Sequence, residues 1–456
     1  MARLAWFSPM APARTGVAAY SAEVVAGLRS FHEIDVFADE PSARLAGAAG
    51  TGSPIRSAHE FLWEHRLRRF DLTVFQLGNS SAHDFMWPYL FRFPGLAVLH
   101  DTQLQHARAA ALLRAKREAE YRAEFRANHP TASGDMAEVA IKGFDSHLYY
   151  QWPMTGLVVQ ASRMTAVHSG FSAASLREAS PAAAVEVIRL GHGDRLSPEQ
   201  VPARRTRARR TFGIPEDAVL FGVFGGLTPE KRLPQVLRAF AALLSYEPGA
   251  RLLLVGAPAS HYDTVGEVSR LGIAEFVSIT GFVENDEAFT DAVAACDVSV
   301  NLRWPTAREI SGPWMRALAA GKPTITTDLA HTADVPALDP RNWTVTHASQ
   351  TLDRVPEPVT IAIDILDEDH SLRLAMRRLA SDGDLRRRLG RAAAMHWDEA
   401  HSTDGMIADY NRAITRAQML PVPVVELPPH LRDDGATKLH ALLQPFGIGN
   451  DLWGTI

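Results

Sequence analysis

Cysteine is almost missing from this sequence: Cys296 stands alone among 456 residues. An internal disulfide framework is therefore excluded, and a reducing, cytoplasmic setting fits. Cys296 precedes a strand pattern and reads as buried and inert. Long apolar runs are missing too, none approaching the ~20 residues that span a bilayer. The N-terminus, MARLAWFSPMAP, is too short and proline-broken for a secretory leader and reads as a first strand. Neither sign of charge dominates. The 47 Lys and Arg against 52 Asp and Glu leave a net charge of −5. No global basic field therefore points to nucleic acid or a membrane. Clustered Cys/His ligands, an HExxH pair, a GxSxG elbow and a complete P-loop are all absent. Asp367-Glu368-Asp369 is the one acidic triplet that could suggest a divalent metal, and its helical setting reads as a solvated face. No metal is expected.

What is present is an ordinary globular composition, 46% apolar and 22% charged, in a chain long enough for two or three domains. Strand and helix patterns alternate throughout, which predicts parallel sheets in doubly wound α/β domains. In the first half, strands are expected at Arg3–Ser8, Ile34–Phe37, Leu72–Gln76, Leu96–Leu99, Met164–Val167 and Val185–Leu190. In the second half they are expected at Val219–Phe224, Arg251–Val255, Phe276–Thr280, Val298–Asn301 and Pro323–Thr326. The turn cluster Gly191-His192-Gly193-Asp194 separates the halves. It places domains at 1–195 and 196–404. Helices and a Pro-rich tail, 405–456, follow and return toward the first domain, with a short amphipathic segment at Thr437–Leu443. The basic run Arg204–Arg210, RRTRARR, has helical spacing and reads as a solvated helix, not a nucleic-acid site. Gln103–Phe125 reads as one long helix. Its Arg108, Arg114, Lys116, Arg117, Arg122 and the adjoining Arg126 form the one candidate face for peripheral membrane contact.

The stretch Phe221–Lys231, FGVFGGLTPEK, runs from a buried strand through Gly225 and Gly226 to Lys231. An amphipathic helix follows, with Leu233, Val236, Leu237 and Phe240 on one face. A strand, a glycine turn and a helix start present backbone N–H groups and a cation to a phosphate. An ordinary tight turn with a solvated lysine looks the same. A second rich stretch, Asn301–Asp328, carries Arg303, Arg308 and Glu309 in a loop. Gly312 at the cap and Pro313 just inside then open a helix that Gly321 ends. Glu309 suits a hydroxyl-rich group or a developing positive charge, or is a surface carboxylate favoured by the helix dipole. In the first half Gly16 opens a helix after the first strand, Gln76–Ser80 follows another strand, and His100-Asp101 follows a third. Ligands of open parallel sheets bind beyond the carboxyl ends of the strands. Asn79, His100 and Asp101 are candidates on that ground; Asp101 reads equally as a helix cap.

Together these segments resemble the large family of retaining GT-B glycosyltransferases that use nucleotide-diphospho-sugars. The resemblance covers nearly the whole chain and is strongest in the second half. GGLTPEKRLPQVLRAF is similar to the family's G-R-x-x-P-E-K-G segment with its following A-F pair, and EISGPWMRALAAGKPTI to its E-x-F-G-x-x-x-x-E-A-M-A-x-G-x-P-V-I segment. SPMAPARTGVAAYS resembles the N-terminal glycine loop, and LHD the strand end with a donor-contacting histidine. QLGNSSAHDF also looks like a segment of some bacterial members. The resemblance implies two Rossmann-like domains facing a cleft and sugar transfer with retained configuration, independent of metal. It implies that Lys231, beside Gly225 and Gly226, holds the donor diphosphate, and that Glu309 contacts the donor sugar. Ile310, Ser311 and Gly312 would face the diphosphate, His100 the sugar, and Gly16 the phosphate and acceptor. Asn79, Asp101, Arg303 and Arg308 become candidate sugar or acceptor contacts. The acceptor would be a saccharide, a lipid-linked saccharide or a small molecule.

The sequence also departs from the family's pattern. The arginine before P-E-K is Gly226 here, and the second glutamate, which usually binds the ribose, is Arg316 or Ala317. A lost cation at the diphosphate calls for a replacement, with Arg303, Arg308 and Arg316 as candidates. These departures keep open a non-catalytic scaffold or regulatory subunit in a polysaccharide assembly. Another GT-B enzyme, such as a sugar-nucleotide epimerase or a phosphorylase, is the further alternative.

Overall fold

The computed structural model describes residues 1–39, 55–143, 150–193, 195–197, 199–283, 285–329, 332, 335–346, 357–433 and 441–447. The chain divides into two units, Met1–Ile188 with Ile407–Ile456, and Arg189–Met406.

The first unit is built on strands β1 (Arg3–Phe7), β2 (Glu33–Ala38), β3 (Ile55–Ser57), β4 (Leu72–Leu77), β5 (Leu96–Leu99), β6 (Met164–Val167) and β7 (Val185–Val187). They form one sheet in the order β3-β2-β1-β4-β5-β6-β7, and every pairing is parallel. Helices cover both faces of such a sheet, so its central strands are apolar on both sides. Leu4, Ala5, Trp6 and Phe7 of β1 are accordingly all fully buried. Phe7 stacks on Phe37 and Phe75 at 5.3 and 4.9 Å. The helix Gly16–Leu28 is capped by the Thr15 side chain. From Ile407 onward the chain belongs to this unit. Tyr410 is fully buried there, 5.6 Å from the ring of Trp6, with its hydroxyl 3.0 Å from that of Tyr20.

The second unit repeats the plan with β8 (Leu220–Phe224), β9 (Arg251–Val255), β10 (Val277–Ile279), β11 (Val298–Asn301), β12 (Thr324–Thr327), β13 (Ala337–Leu338), β14 (Val345–Thr346) and β15 (Thr360–Ile363). Their order is β10-β9-β8-β11-β12-β15-β13-β14. All pairs are parallel except β13 with β14. Its core joins Phe221, Val223, Leu252, Leu254 and Val300 to Leu237 and Phe240 of the helix Leu233–Leu243. Both units are thus doubly wound α/β layers of the Rossmann kind.

Several local expectations are corrected. Gln103–Phe125 is two helices, Gln105–Leu113 and Glu118–Asn128, broken where Lys116 takes a left-handed φ of 58°. Arg108 lies buried against Glu124 across that break, so it cannot form part of a membrane-facing basic face. Asp367-Glu368-Asp369 is not a wholly solvated face, because Glu368 is buried and accepts from Arg232 Nε at 2.7 Å. β7 ends at Val187 instead of running to Leu190. The last strands, β13 to β15, are too short to leave a periodicity. Residues 437–440 of the expected tail segment lie outside the described residues, as does Asp194 of the turn cluster. Cys296 is buried as expected, and burial pushes its thiol up to about 12.

Candidate functional site

β8 and β11 are neighbours, and the strand order reverses between them. Such a reversal leaves a crevice beyond the carboxyl ends of the two strands. A cavity of about 190 Å³ occurs at those ends, where Phe224 of β8 and Asn301 of β11 meet Lys231, Arg303, Glu309 and Gly312. Ile310 and Ser311 line it as well. Pockets that enclose a whole ligand run to ~300–1,000 Å³, so this one suits a portion of a larger molecule.

The glycine turn determines where the lysine lies. Gly225 has φ +88°, and its N–H donates to the Val255 carbonyl at 2.8 Å. A Cβ there would stand 2.6 Å from Lys231 Nζ, and a Cβ on Gly256 would meet the Gly225 oxygen at 2.0 Å. Backbone at both positions must therefore be glycine for the turn to lie against β9. Lys231 Nζ donates to the Phe224 carbonyl. Burial pushes its ammonium down to about 7; the positive charge of Arg303 adds to this and Glu309 opposes it. Arg303 forms an ion pair with Glu309, whose other oxygen accepts from Thr306 Oγ1 at 2.9 Å.

The helix Gly312–Ala319 begins at this cavity. Its cap is Ser311, not Gly312: Ser311 Oγ accepts from the Trp314 N–H at 3.3 Å. Gly312 is the first helical residue, and Pro313 follows without a donor. The Gly312 N–H is one of the first-turn donors that a helix leaves for an outside partner.

Of the three arginines expected to replace the lost cation, only Arg303 lines the cavity. Arg316 donates to His192 Nε2 at 3.1 Å, pairs with Asp286 and lies 5.0 Å over Phe289. It is not brought to the cavity. Arg308 is also outside the lining and holds a φ of +63°. Gly226 has an ordinary φ, and a Cβ there would touch only Thr228 Cγ2 at 3.8 Å. Gly226→Arg should therefore fold normally. It is expected to tighten nucleoside-diphosphate binding about tenfold or more, the worth of one charge-assisted hydrogen bond. Calorimetric titration with UDP checks this; weaker binding would mean that the turn does not face the diphosphate.

In the first unit, His100 follows β5 and sits within a buried polar cluster. Its Nε2 is 2.8 Å from Gln76 Oε1, and its Nδ1 is 3.3 Å from His168 Nε2. His168 gives its Nδ1–H to the Ile188 carbonyl at 2.9 Å, and burial pushes it down to about 4. A neutral His168 then accepts from His100 Nδ1–H. The Gln76 NH2 is buried without a partner. Tyr20 stands edge-on to His100 at 4.8 Å, and the Tyr410 hydroxyl reaches Gln76 at 3.3 Å. Asp101 caps no helix: it accepts from the Asn79 N–H at 2.6 Å. Asn79 in turn accepts from the Ala107 N–H at 3.0 Å. Gly16 is exposed, with no atom within 4 Å of a Cβ position. Sequence reasoning did not select Gln76, His168, Tyr20 or Tyr410. The signal for His168 was available, since His168-Ser169-Gly170 ends β6 as His100-Asp101 ends β5.

Residues 218–349 match the family model for glycosyl transferases group 1. That stretch lies within the second unit, which is to this extent similar to group 1 glycosyl transferases. Lys231, Arg303, Glu309 and Gly312 all fall inside the matched stretch. The D-inositol 3-phosphate glycosyltransferase of Mycolicibacterium smegmatis is 27% identical over 227 residues, covering 47% of this chain and 45% of the relative. The enzyme of the same name from Actinosynnema mirum is 35% identical over 85 residues, covering 17% of this chain and 20% of the relative. The chain thus spans less than half the length of the curated relatives it matches. Among solved structures, HepE of Anabaena in complex with UDP-glucose is similar at a TM-score of 0.61 and 14% identity, over 91% of this chain and 100% of that one. Sucrose-phosphate synthase of Thermosynechococcus elongatus is similar at 0.60 and 16% identity, over 91% and 99%. These likenesses show that the fold is that of GT-B proteins.

Proposed function

We propose that the chain is a retaining glycosyltransferase that moves a sugar from a nucleotide-diphospho-sugar to an acceptor hydroxyl without a metal ion. One observation carries it: Lys231, Arg303, Glu309 and a helix start line a single cavity at the strand-order reversal. As the bond from the anomeric carbon to the phosphate oxygen breaks, negative charge grows on the leaving diphosphate. Two fixed cations and the Gly312 N–H stabilise that charge in place, as preorganised donors do. The Glu309 carboxylate suits the hydroxyls and the positive character of the departing sugar. The acceptor hydroxyl attacks the face the diphosphate leaves, and its proton passes to the leaving phosphate oxygen. His100 remains assigned to the sugar by the resemblance, and a sugar contact there would take one ring nitrogen from its present partner.

HepE is described with UDP and with glucose, so uridine and glucose head the donor panel. The relatives named for D-inositol 3-phosphate make phosphorylated polyols the first acceptors to try. No helix among the described residues is long and apolar enough to cross a membrane, and a cytoplasmic location is part of the proposal. A thermal-shift screen with UDP, GDP, ADP and dTDP tests the reading, because a ligand of the native state raises the melting point. At least one diphosphate should do so, and turnover of the matching sugar nucleotide should be unchanged by EDTA. No shift with any of the four would favour the scaffold alternative; turnover abolished by chelation would remove metal independence.

A further inference from the structure

The second unit holds another cavity, of about 460 Å³, between the turn that joins β13 to β14 and the helices Glu368–Ser381 and Gly383–Ala400. None of its lining residues belongs to the donor cavity. Its size falls within the range that encloses a whole small ligand. Leu338, Leu385 and Trp343 give it apolar surface.

The polar lining is unbalanced. Four guanidiniums, of Arg378, Arg387, Arg388 and Arg391, stand against two carboxylates, Asp382 and Asp384. Asp382 is divided between two partners. One oxygen accepts from the Leu385 N–H at 2.9 Å, and the other pairs with Arg378 at 2.9 Å. That N–H, and then the arginine, hold its carboxyl below the usual carboxylate range. Asp384 pairs with Arg387. Arg388 reaches Glu357, which lies outside the lining, at 3.6 Å. Arg391 is exposed and has no ion pair or hydrogen bond among the described residues.

Two further features set the cavity apart from an ordinary solvated face. Arg387 and Arg388 stand four and three residues before Arg391, so three guanidiniums share one face of a helix. Like charges at that spacing repel, and an anion among them relieves the repulsion. Arg386, in the same run, is used within the fold, donating to the Ala380 carbonyl at 2.9 Å. The other feature is Trp343, which holds a left-handed φ of +60°. Such a backbone is strained for a bulky residue and marks sites where a side chain must be presented. The Trp343 N–H donates to the Asp339 carbonyl at 2.7 Å, and the Asp339 N–H to the Thr344 carbonyl at 3.0 Å, which keeps the indole in the lining. Asp339 itself lies outside the lining and pairs with Arg341 at 2.8 Å.

A guanidinium fork matches two oxygens of a phosphate, and a phosphate monoester brings the negative charge that this lining lacks. The indole and the two leucines suit a small carbon body attached to it. We propose that this cavity binds a small phosphate monoester, with the phosphate on Arg388 and Arg391 and the carbon body against Trp343. The proposal stands on the second unit alone and does not require the donor reading.

The test uses the full-length protein without nucleotide, in about 0.15 M salt, where long-range attraction between exposed charges is screened. Calorimetry and ligand-observed NMR read saturable binding. The probes are glucose 6-phosphate and glycerol 3-phosphate, with inorganic phosphate and glucose as comparisons. At least one ester should bind, and more tightly than either comparison. Arg391→Glu and Arg388→Ala should each weaken that binding at least tenfold, the worth of one charge-assisted hydrogen bond, with unchanged circular dichroism. Two variants are used so that misfolding of one leaves the other to decide. Lys231→Met should bind the ester as the wild type does. Binding of neither ester would overturn the proposal, as would wild-type affinity in a folded Arg391→Glu or Arg388→Ala protein. Inorganic phosphate binding as tightly as the esters would also overturn it, by removing the carbon body from the site. Loss of binding in Lys231→Met would do the same, by placing the ester at the donor cavity. A nucleotide screen that fails leaves these outcomes unaffected, so the two readings fail separately.

Discussion

Lys231→Met is expected to lower sugar transfer by about 10²–10³-fold, the usual cost of removing one preorganised donor to a developing anion, while raising the melting temperature at pH 7. The two effects share one cause. The ammonium is buried with Arg303 nearby, and its affinity for a proton is reduced until it is half-charged near pH 7. An ordinary lysine in the unfolded chain holds its proton to ~10.4. Between those values the unfolded state binds more protons than the folded one, so the stability of the wild type rises with pH across that window. The cost of the charge is fully present below about pH 7 and vanishes near the ordinary value. Methionine removes the charge and keeps much of the apolar stem. The variant should therefore exceed the wild type in stability most at pH 6 to 7, and the gap should close toward pH 10. Scanning calorimetry along a pH series reads this. A diphosphate arriving beside Lys231 reverses the situation, because a nearby anion favours the charged form. Wild-type affinity for the nucleoside diphosphate should then fall as pH rises above about 7, and the variant should lack that slope. A variant as active as the wild type would remove Lys231 from the mechanism, and a variant less stable at every pH would contradict the buried-charge account.

Arg209→Ala is expected to have the largest effect on stability. The side chain is fully buried. It donates to the carbonyls of Ala295, Pro215, Glu216 and Ala218 at 2.8 to 3.1 Å, and to Asp297 at 2.8 Å. Asp297 also receives the Leu220 N–H at the start of β8, so the arginine ties the helix Gln200–Phe212 to the strand that leads to the glycine turn. Removing Arg209 takes the donor from four carbonyls and leaves Asp297 with Arg205 as its one ion-pair partner among the described residues, and breaking such a buried network costs about 3–5 kcal/mol. Arg210, its exposed neighbour, should cost no more than ~0.5 kcal/mol when changed to alanine. Urea unfolding followed by tryptophan fluorescence separates the two. Equal midpoints for Arg209→Ala and Arg210→Ala would mean that the network contributes nothing.

The same arginine shows where sequence patterns stop. RRTRARR has one spacing and one composition, and periodicity reads it as a single solvated helix. In the structure Arg204 and Arg207 meet Asp291, Arg205 meets Asp297 and Arg209 is enclosed. The acidic partners come from more than eighty residues away, and no local pattern announces them. Glu368 was misread for the same reason, its partner Arg232 lying 136 residues away, and Arg108 because the helix break at Lys116 folds Glu124 back onto it. Buried ion pairs join distant segments, while hydrophobic periodicity reports only on near neighbours.

The alternation of strand and helix, the glycine turn at Gly225 and the helix start at Gly312 are local properties, set by backbone conformation and apolar spacing within a few residues. They could be read from the chain unaided, and with them the doubly wound class and the pairing of a lysine turn with a carboxylate loop. Which arginine faces Lys231, which histidine holds His100, and that Arg316 turns away to Asp286 depend on how strands far apart in the chain come to lie side by side. Side-chain direction at a strand end follows from the packing of its neighbours, and that packing exists only in three dimensions.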